Sequence, residues 1–221
     1  MNLDDWKRYV VTAWAGWSVL SRDLGWTRSV LQRRAIDRVG QPLPWYTYPA
    51  TEYLRTIDFS DARVFEYGSG HSSVFWARNA KEVHSVEDNP EWAAVIRAFS
   101  IPNLTVLDSH GRDDYVRMPD RVGGLFDVVV IDGKHRHDCV HVACRVSKPT
   151  GMIVFDNADW YPKACRQMRD NGWFQIDFAG FGPINSYRWN TSLFCKVQTH
   201  LVKKEVVRPV GGIEQDAGLD D

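Results

Sequence analysis

A glycine turn between an apolar run and a helical pattern is the feature that most constrains this chain. The segment Val64–Ser73 has the sequence VFEYGSGHSS. Its apolar start predicts a strand that carries the acid Glu66 near its end, and the residues after Gly70 predict a helix. Such a unit brings a ligand close to bare backbone and to the positive end of a helix dipole. The segment therefore predicts a site for a nucleotide-like ligand.

Composition indicates one α/β domain with balanced charge. The chain has 221 residues, with 27 Lys and Arg against 28 Asp and Glu. This balance argues against nucleic acid and against a membrane surface as partners, so we expect a small-molecule acceptor. The four cysteines show no CxxC or zinc spacing, and the acidic N-terminus is unlike a signal peptide. We therefore expect reduced thiols and a cytoplasmic protein. These observations are also compatible with a homodimer.

From residue 62 onward, predicted strands alternate with predicted helices. This alternation predicts an α/β fold with a doubly wound, mostly parallel, Rossmann-like sheet of seven strands whose last strand is antiparallel. The predicted strands are Arg63–Tyr67, Glu82–Glu87, Leu104–Asp108, Phe126–Ile131, Gly151–Phe155, Phe174–Phe178 and Thr191–Val197. The predicted helices between them are Ser72–Arg78, Glu91–Phe99, Tyr115–Met118, His137–Val146 and Tyr161–Asn171.

Three regions are predicted along the chain. Residues 1–60 form an aromatic-rich helical cap or lid packed beside the main domain, residues 61–202 form the ligand-binding domain, and residues 203–221 form a mobile tail. Within the cap, the spacing of Trp6, Trp14 and Trp17 predicts a first helix. Further helices are predicted at Arg28–Val39 and Thr51–Thr56.

A second acid, Glu87, narrows the chemical class of the ligand. It ends the second predicted strand, where an acid in doubly wound folds hydrogen-bonds the hydroxyls of a bound ribose. A dinucleotide site would place a third small residue, usually glycine, where Ser73 stands, and its pyrophosphate would be repelled by Glu66. A ligand with a ribose, an ammonium group and no phosphate fits better. S-adenosylmethionine has that combination, which disfavours an NAD-dependent oxidoreductase.

Three oxygen-bearing side chains follow two later strands. Asp132 ends the fourth predicted strand, and Asp156 and Asn157 end the fifth. Ligands bind at this edge of such sheets, and carboxylate and amide oxygens suit a hard divalent cation such as Mg²⁺. A metal there would lower the pKa of an acceptor hydroxyl. The alternative is that Asp156 and Asn157 cap the following helix.

Together these motifs resemble a known family. Glu-x-Gly-x-Gly, Glu-x-Asn-Pro, an Asp after an apolar strand and Asp-Asn after the next resemble the class I S-adenosylmethionine-dependent methyltransferases over about residues 60–200. The pattern is most similar to the small catechol- and caffeoyl-CoA-type metal-dependent O-methyltransferases and to uncharacterised bacterial relatives.

The resemblance implies a role for each matched residue. The cofactor would be held by Glu66, Gly68, Ser69 and Gly70 at its methionine end, by Glu87 at the ribose, by Asp108 or Ser109 near adenine, and by Asp132. The metal would be held by Asp132, Asp156 and Asn157. The position of the family's catalytic lysine is taken by His135, with Lys134 before it, so either is a candidate base.

The sequence thus predicts a metal-assisted O-methyltransferase for a small acceptor. Tyr187 and Trp189, in the loop between the last two strands, and Trp45 in the cap are predicted to bracket an aromatic or planar acceptor. One alternative is a metal-independent N- or O-methyltransferase that uses His135 as base. Another is a methyltransferase-like module that binds without catalysis.

Overall fold

The computed structural model describes residues 2–196, and their strands form one seven-stranded sheet in the order β3-β2-β1-β4-β5-β7-β6. The strands are β1 (Arg63–Tyr67), β2 (Glu82–Glu87), β3 (Leu104–Asp108), β4 (Phe126–Ile131), β5 (Ser147–Asp156), β6 (Phe174–Gly180) and β7 (Trp189–Cys195). Strands β1 to β5 pair in parallel, and β7 is antiparallel to both β5 and β6. This arrangement confirms the predicted fold class.

The described part of the chain contains eight α-helices. They are α1 (Leu3–Ser18), α2 (Trp26–Gln32), α3 (Tyr48–Leu54), α4 (His71–Asn79), α5 (Pro90–Arg97), α6 (Arg112–Val122), α7 (Arg136–Val146) and α8 (Pro162–Asp170). Helices α3 and α4 pack in one core cluster and α6, α7 and α8 in another. Val64 and Val128 join the first cluster, while the alternate residues Phe65 and Val129 join the second. The central strands are therefore buried on both faces, as their unbroken apolar runs predict.

Most predicted elements lie where the sequence places them. Strands β1 to β4 have the predicted bounds. Strand β5 begins four residues earlier, β6 begins as predicted and ends two residues later, and β7 begins two residues earlier. Val197, predicted to end β7, and the predicted tail lie outside the described residues. Helix α6 extends beyond its predicted core at both ends and includes Pro119.

The second helix departs most from its prediction of Arg28–Val39. Helix α2 ends at Gln32, because Arg33 adopts a left-handed conformation with a φ of 51°. The buried Ser29 side chain then bonds to Ile36, donating to its carbonyl and accepting from its N–H. These contacts fold residues 33–42 back as a loop that closes with a bridge between Ile36 and Pro42.

The N-terminal region packs on the domain only in part. Tyr46, Ala50 and Leu54 are buried against the sheet. In contrast, helix α1 buries none of its residues, and Trp14 is 69% exposed, so the expected packing of this helix is wrong. The bounds of the three regions stay a prediction. Among residues 2–196, no helix has the length and apolar character needed to cross a bilayer.

Candidate functional site

A cavity of about 510 Å³ lies at the carboxyl edge of the sheet. This edge is where open α/β sheets bind ligands, and the volume is in the range of small-molecule sites. One side of the cavity is lined by the turn before α4 and by Glu87 at the end of β2. The other side is lined by the ends of β4 and β5, by aromatic residues and by the loop 33–35.

The glycine turn owes its shape to a close backbone approach. Gly68 has a φ of 90°, and a Cβ placed on it would lie 2.8 Å from the Cα of Gly133. A Cβ on Gly133 would in turn overlap the hydroxyl of Tyr115 at 1.9 Å. The turn after β1 and the turn after β4 are therefore in backbone contact, which requires glycine on both sides. Both turns line the cavity, so this contact fixes the distance between them there.

Glu87 is fixed against the glycine turn by several hydrogen bonds. Its Oε2 accepts from the Ser69 backbone N–H at 3.0 Å, and its Oε1 accepts from the N–H groups of Asp88 and Asn89. The Trp92 indole donates to the Ser69 carbonyl at 2.6 Å and closes the same corner. A carboxylate held in one orientation at the cavity wall can accept further hydrogen bonds from a ligand diol.

Glu66 lies beneath the turn and is not part of the cavity lining. It is fully buried, Ser73 donates to its Oε2, and its Oε1 has no hydrogen-bond partner among the described residues. Burial raises the pKa of Glu66 to about 8. Because Glu66 is fully buried and does not line the cavity, it is not placed for direct contact with a cofactor ammonium group.

The raised pKa of Glu66 should make the free energy of unfolding depend on pH. Its folded pKa is raised above the unfolded value, so the protonated form stabilises the native state below about pH 4.5, and this contribution is lost as pH rises through about 8. We expect the free energy of unfolding to fall by about 2–4 kcal/mol more between roughly pH 5 and 9 in the native protein than in Glu66→Gln, measured by urea unfolding. Parallel pH profiles for the two proteins would contradict this assignment.

The two residues predicted near adenine lie away from the cavity wall. The Asp108 side chain is 48% exposed and pairs with Arg97 at 2.7 Å. Ser109 is buried, and its N–H and hydroxyl both donate to the Glu87 carbonyl. Ser109 thus supports the end of β2, and neither residue lines the cavity.

The three predicted metal ligands do converge, but a guanidinium group lies among them. Arg136 donates through Nη2 to Asp132 Oδ1 at 3.0 Å and through Nη1 to Asn157 Oδ1 at 2.9 Å. It also donates to the carbonyls of Asp132, Gly133 and Asp156. The helix-capping alternative for Asn157 is also wrong, because its side chain makes no capping bond.

This arrangement does not fit a divalent cation. The place where a metal would meet Asp132 and Asn157 is taken by Arg136, and Asp156 Oδ1 accepts from the Trp189 indole at 2.9 Å. Within residues 2–196, no group of three His, Cys, Asp or Glu side chains is arranged to hold a metal ion. The prediction of Mg²⁺ binding therefore has no support in the geometry.

The two carboxyl groups at this edge are both perturbed. Burial raises the pKa of Asp132 to about 7, against the opposing charge of Arg136. Burial and the nearby Asp132 raise the pKa of Asp156 well above its usual range. Both line the cavity, but Asp156 is only 3% exposed and its Oδ1 accepts from Trp189 and Thr191, whereas the Asp132 side chain is 18% exposed. Asp132 is therefore the more accessible of the two.

The predicted bases lie beside the cavity and not on its wall. Lys134 is 66% exposed and pairs with Asp88 at 2.6 Å. His135 has a φ of 53°, precedes α7 and packs edge-on against Tyr115. Neither side chain lines the cavity, so a catalytic role for either stays a prediction with no contact to support it.

The three predicted acceptor residues do line the cavity. Trp45, Tyr187 and Trp189 all contribute to its wall. Trp160, which was not predicted, extends this surface, because its ring lies 6.2 Å from Tyr187, which in turn lies 5.8 Å from Trp189. The wall offers flat apolar faces suited to a planar or partly apolar molecule.

Other lining residues were missed by sequence reasoning. Arg33 and Arg34 reach the cavity from the loop after α2, which a helix prediction through Val39 could not place there. The spacing of Arg136, four residues after Asp132, could have predicted the ion pair that the two residues form. Trp92 follows the Asn-Pro start of α5 in the first turn and faces back toward the glycine turn.

No family model and no curated protein matches the chain, but solved structures do. A precorrin-6y C5,15-methyltransferase from Geobacter metallireducens matches with a TM-score of 0.53 and 17% identity, covering 63% of this chain and 82% of that one. An rRNA methylase from Streptococcus thermophilus matches with a TM-score of 0.52 and 12% identity, covering 68% and 97%. A candidate methyltransferase from Streptococcus mutans, solved with SAH (S-adenosylhomocysteine), matches with a TM-score of 0.50 and 11% identity, covering 65% and 93%.

These likenesses establish the fold. The chain has the class I methyltransferase architecture, in agreement with the resemblance found in its motifs. The narrower resemblance to catechol- and caffeoyl-CoA-type enzymes is not shown by these structures, whose described substrates include a precorrin and rRNA.

Proposed function

We propose that this protein is an S-adenosylmethionine-dependent methyltransferase that acts on a small acceptor, most simply at a hydroxyl oxygen, without a divalent metal. The observation that carries the proposal is the position of Glu87. Its carboxylate is held at the cavity wall by the glycine turn and stands where a ribose can meet it. S-adenosylmethionine supplies an activated methyl group on a sulfonium when it is bound.

The hydrogen bonds at the glycine turn support a nucleoside ligand without a phosphate. The cavity lining carries both signs of charge, with Glu87, Asp132 and Asp156 beside Arg33, Arg34 and Arg136, so its charge does not choose between a sulfonium cofactor and a dinucleotide. At the turn, however, the Ser69 backbone N–H donates to Glu87 and the Gly70 backbone N–H donates to the Ser73 hydroxyl, so neither is offered to a phosphate.

The acceptor half of the cavity supports a small, partly apolar substrate. Trp45, Trp160 and Tyr187 provide the faces that would hold an acceptor against the cofactor half. Methyl transfer needs alignment of donor and acceptor and a route for the acceptor proton. Asp132 lines the cavity between the two halves, with Oδ1 held by Arg136. It is the carboxylate placed to accept that proton.

Ligand binding tests the proposal directly. We expect S-adenosylhomocysteine to bind the full-length protein in isothermal titration calorimetry and NAD to bind far more weakly. Chelator should leave the S-adenosylhomocysteine affinity unchanged, because the protein supplies its own cation at Arg136. Absence of S-adenosylhomocysteine binding would favour a non-catalytic module, and preferential NAD binding would favour an oxidoreductase.

A further inference from the structure

The guanidinium of Arg136 has all of its donors engaged by the protein. Arginine carries five N–H donors. Nε donates to the Gly133 carbonyl at 2.9 Å, Nη1 donates to the Asp156 carbonyl and to Asn157 Oδ1, and Nη2 donates to the carbonyl and to Oδ1 of Asp132 at 3.0 Å each. Five donors meet five acceptors, so none is left for a substrate or cofactor.

Those five acceptors are all oxygens, and they come from two neighbouring strand ends. Asp132 and Gly133 follow β4, and Asp156 and Asn157 end or follow β5. A carboxylate, an amide oxygen and backbone carbonyls are the ligand types that a hard divalent cation takes. Here oxygens of these types surround one permanently charged side chain.

We propose that Arg136 is a built-in cation that takes the place of a divalent metal at this edge of the sheet. It neutralises the carboxylate of Asp132 and ties the turn after β4 to the turn after β5, as a bound ion would. Its side chain is 12% exposed, and its guanidinium lies over the Tyr161 ring at 5.6 Å, so it is held in place from a second side. Arg136 is therefore a positioning residue, acting on the cavity through Asp132.

This proposal makes a prediction that a purely structural arginine does not. Removing the side chain should free the five oxygens and open a divalent cation site that the native protein lacks. We expect Arg136→Ala to take up one Mn²⁺, seen as loss of the free Mn²⁺ signal in electron paramagnetic resonance. Its melting midpoint should rise by about 5 °C in millimolar Mn²⁺. The native protein should show neither response.

Matched variants separate this outcome from general destabilisation. Arg145→Ala removes another arginine of α7, paired with Asp120 on the surface, and should not respond to Mn²⁺. Arg136→Lys restores a cation and should also remain unresponsive. Adding Asn157→Ala to Arg136→Ala should weaken Mn²⁺ uptake, because it removes one of the five oxygens.

Two results would overturn the proposal. One is Mn²⁺ binding by the native protein that is lost in Asn157→Ala, since the metal would then displace the guanidinium. The other is a folded Arg136→Ala protein that takes up no Mn²⁺. If Arg136→Ala does not fold, Arg136→Gln replaces it, because glutamine keeps part of the length of the arginine side chain without its charge. Mn²⁺ uptake by that variant supports the proposal, and its absence overturns it. Because this inference concerns a cation and not the cofactor, it is tested independently of S-adenosylmethionine binding.

Discussion

Gly68→Ala is expected to destabilise the protein by about 2–5 kcal/mol and to abolish measurable binding of S-adenosylhomocysteine. Two costs add at this position. The backbone φ of 90° disfavours any residue with a Cβ, and that Cβ would lie 2.8 Å from the Cα of Gly133. Because the obstacle is backbone, relief requires the turns after β1 and β4 to separate, and the cavity lies directly above them.

Gly111→Ala is the matched control for this prediction. Gly111 has nearly the same φ, 93°, but nothing lies within 4 Å of a Cβ built there. Its ψ of 175° completes a backbone conformation that is essentially restricted to glycine, so alanine there should cost the conformational strain alone, about 1–3 kcal/mol, and leave ligand affinity unchanged. Urea unfolding and calorimetry of both variants give the comparison. Equal loss of stability in the two would show that the contact between Gly68 and Gly133 does not shape the site.

Glu87→Gln is expected to weaken S-adenosylhomocysteine binding by about 10–100-fold, since hydrogen bonds to a charged group contribute about 1.5–3 kcal/mol. Glutamine keeps the size of the side chain, but its NH₂ group cannot accept, so it loses either the bond from the Ser69 N–H or the bonds from the Asp88 and Asn89 N–H groups. The charge that the ribose hydroxyls would meet is lost as well. Stability should therefore fall by about 1–3 kcal/mol, and calorimetry and thermal unfolding on the same samples measure the two losses separately.

Asp108→Asn provides the control for Glu87. Asp108 is the register partner of Glu87 on the adjacent strand β3 and also ends its strand with an acid. Its side chain points to Arg97 and lies off the cavity lining. We expect its effect on affinity to stay within about twofold, because exposed ion pairs contribute about 1 kcal/mol or less even to stability. A larger loss in Asp108→Asn than in Glu87→Gln would place the nucleoside along β3 and contradict the role given to Glu87.

Sequence patterns were sufficient for the sheet and for the part of the cavity wall formed by the glycine turn and Glu87. Strands β1 to β4 are apolar runs that end in turn or acidic residues, so their bounds follow from local composition. Glu87 and the glycine turn were found for the same reason, because each acts through its position at a strand end.

The oxygens around Arg136 depend on contacts that local patterns do not encode. Asp132 and Asn157 were correctly placed at one edge, but the side chain between them comes from the first turn of α7. Whether a metal or Arg136 fills that centre is decided by side-chain direction. Helix α2 ended early for a similar reason, since the bond between buried Ser29 and Ile36 outweighs local helix propensity in residues 33–39.

A crystal structure of the full-length protein with S-adenosylhomocysteine and MnCl₂ tests the central claim most directly. We predict the ribose hydroxyls within hydrogen-bond distance of the Glu87 carboxylate, and the Arg136 guanidinium still bonded to Asp132 and Asn157 with no Mn²⁺ between them. A nucleoside bound away from Glu87, or a manganese ion in the place of Arg136, would contradict the account.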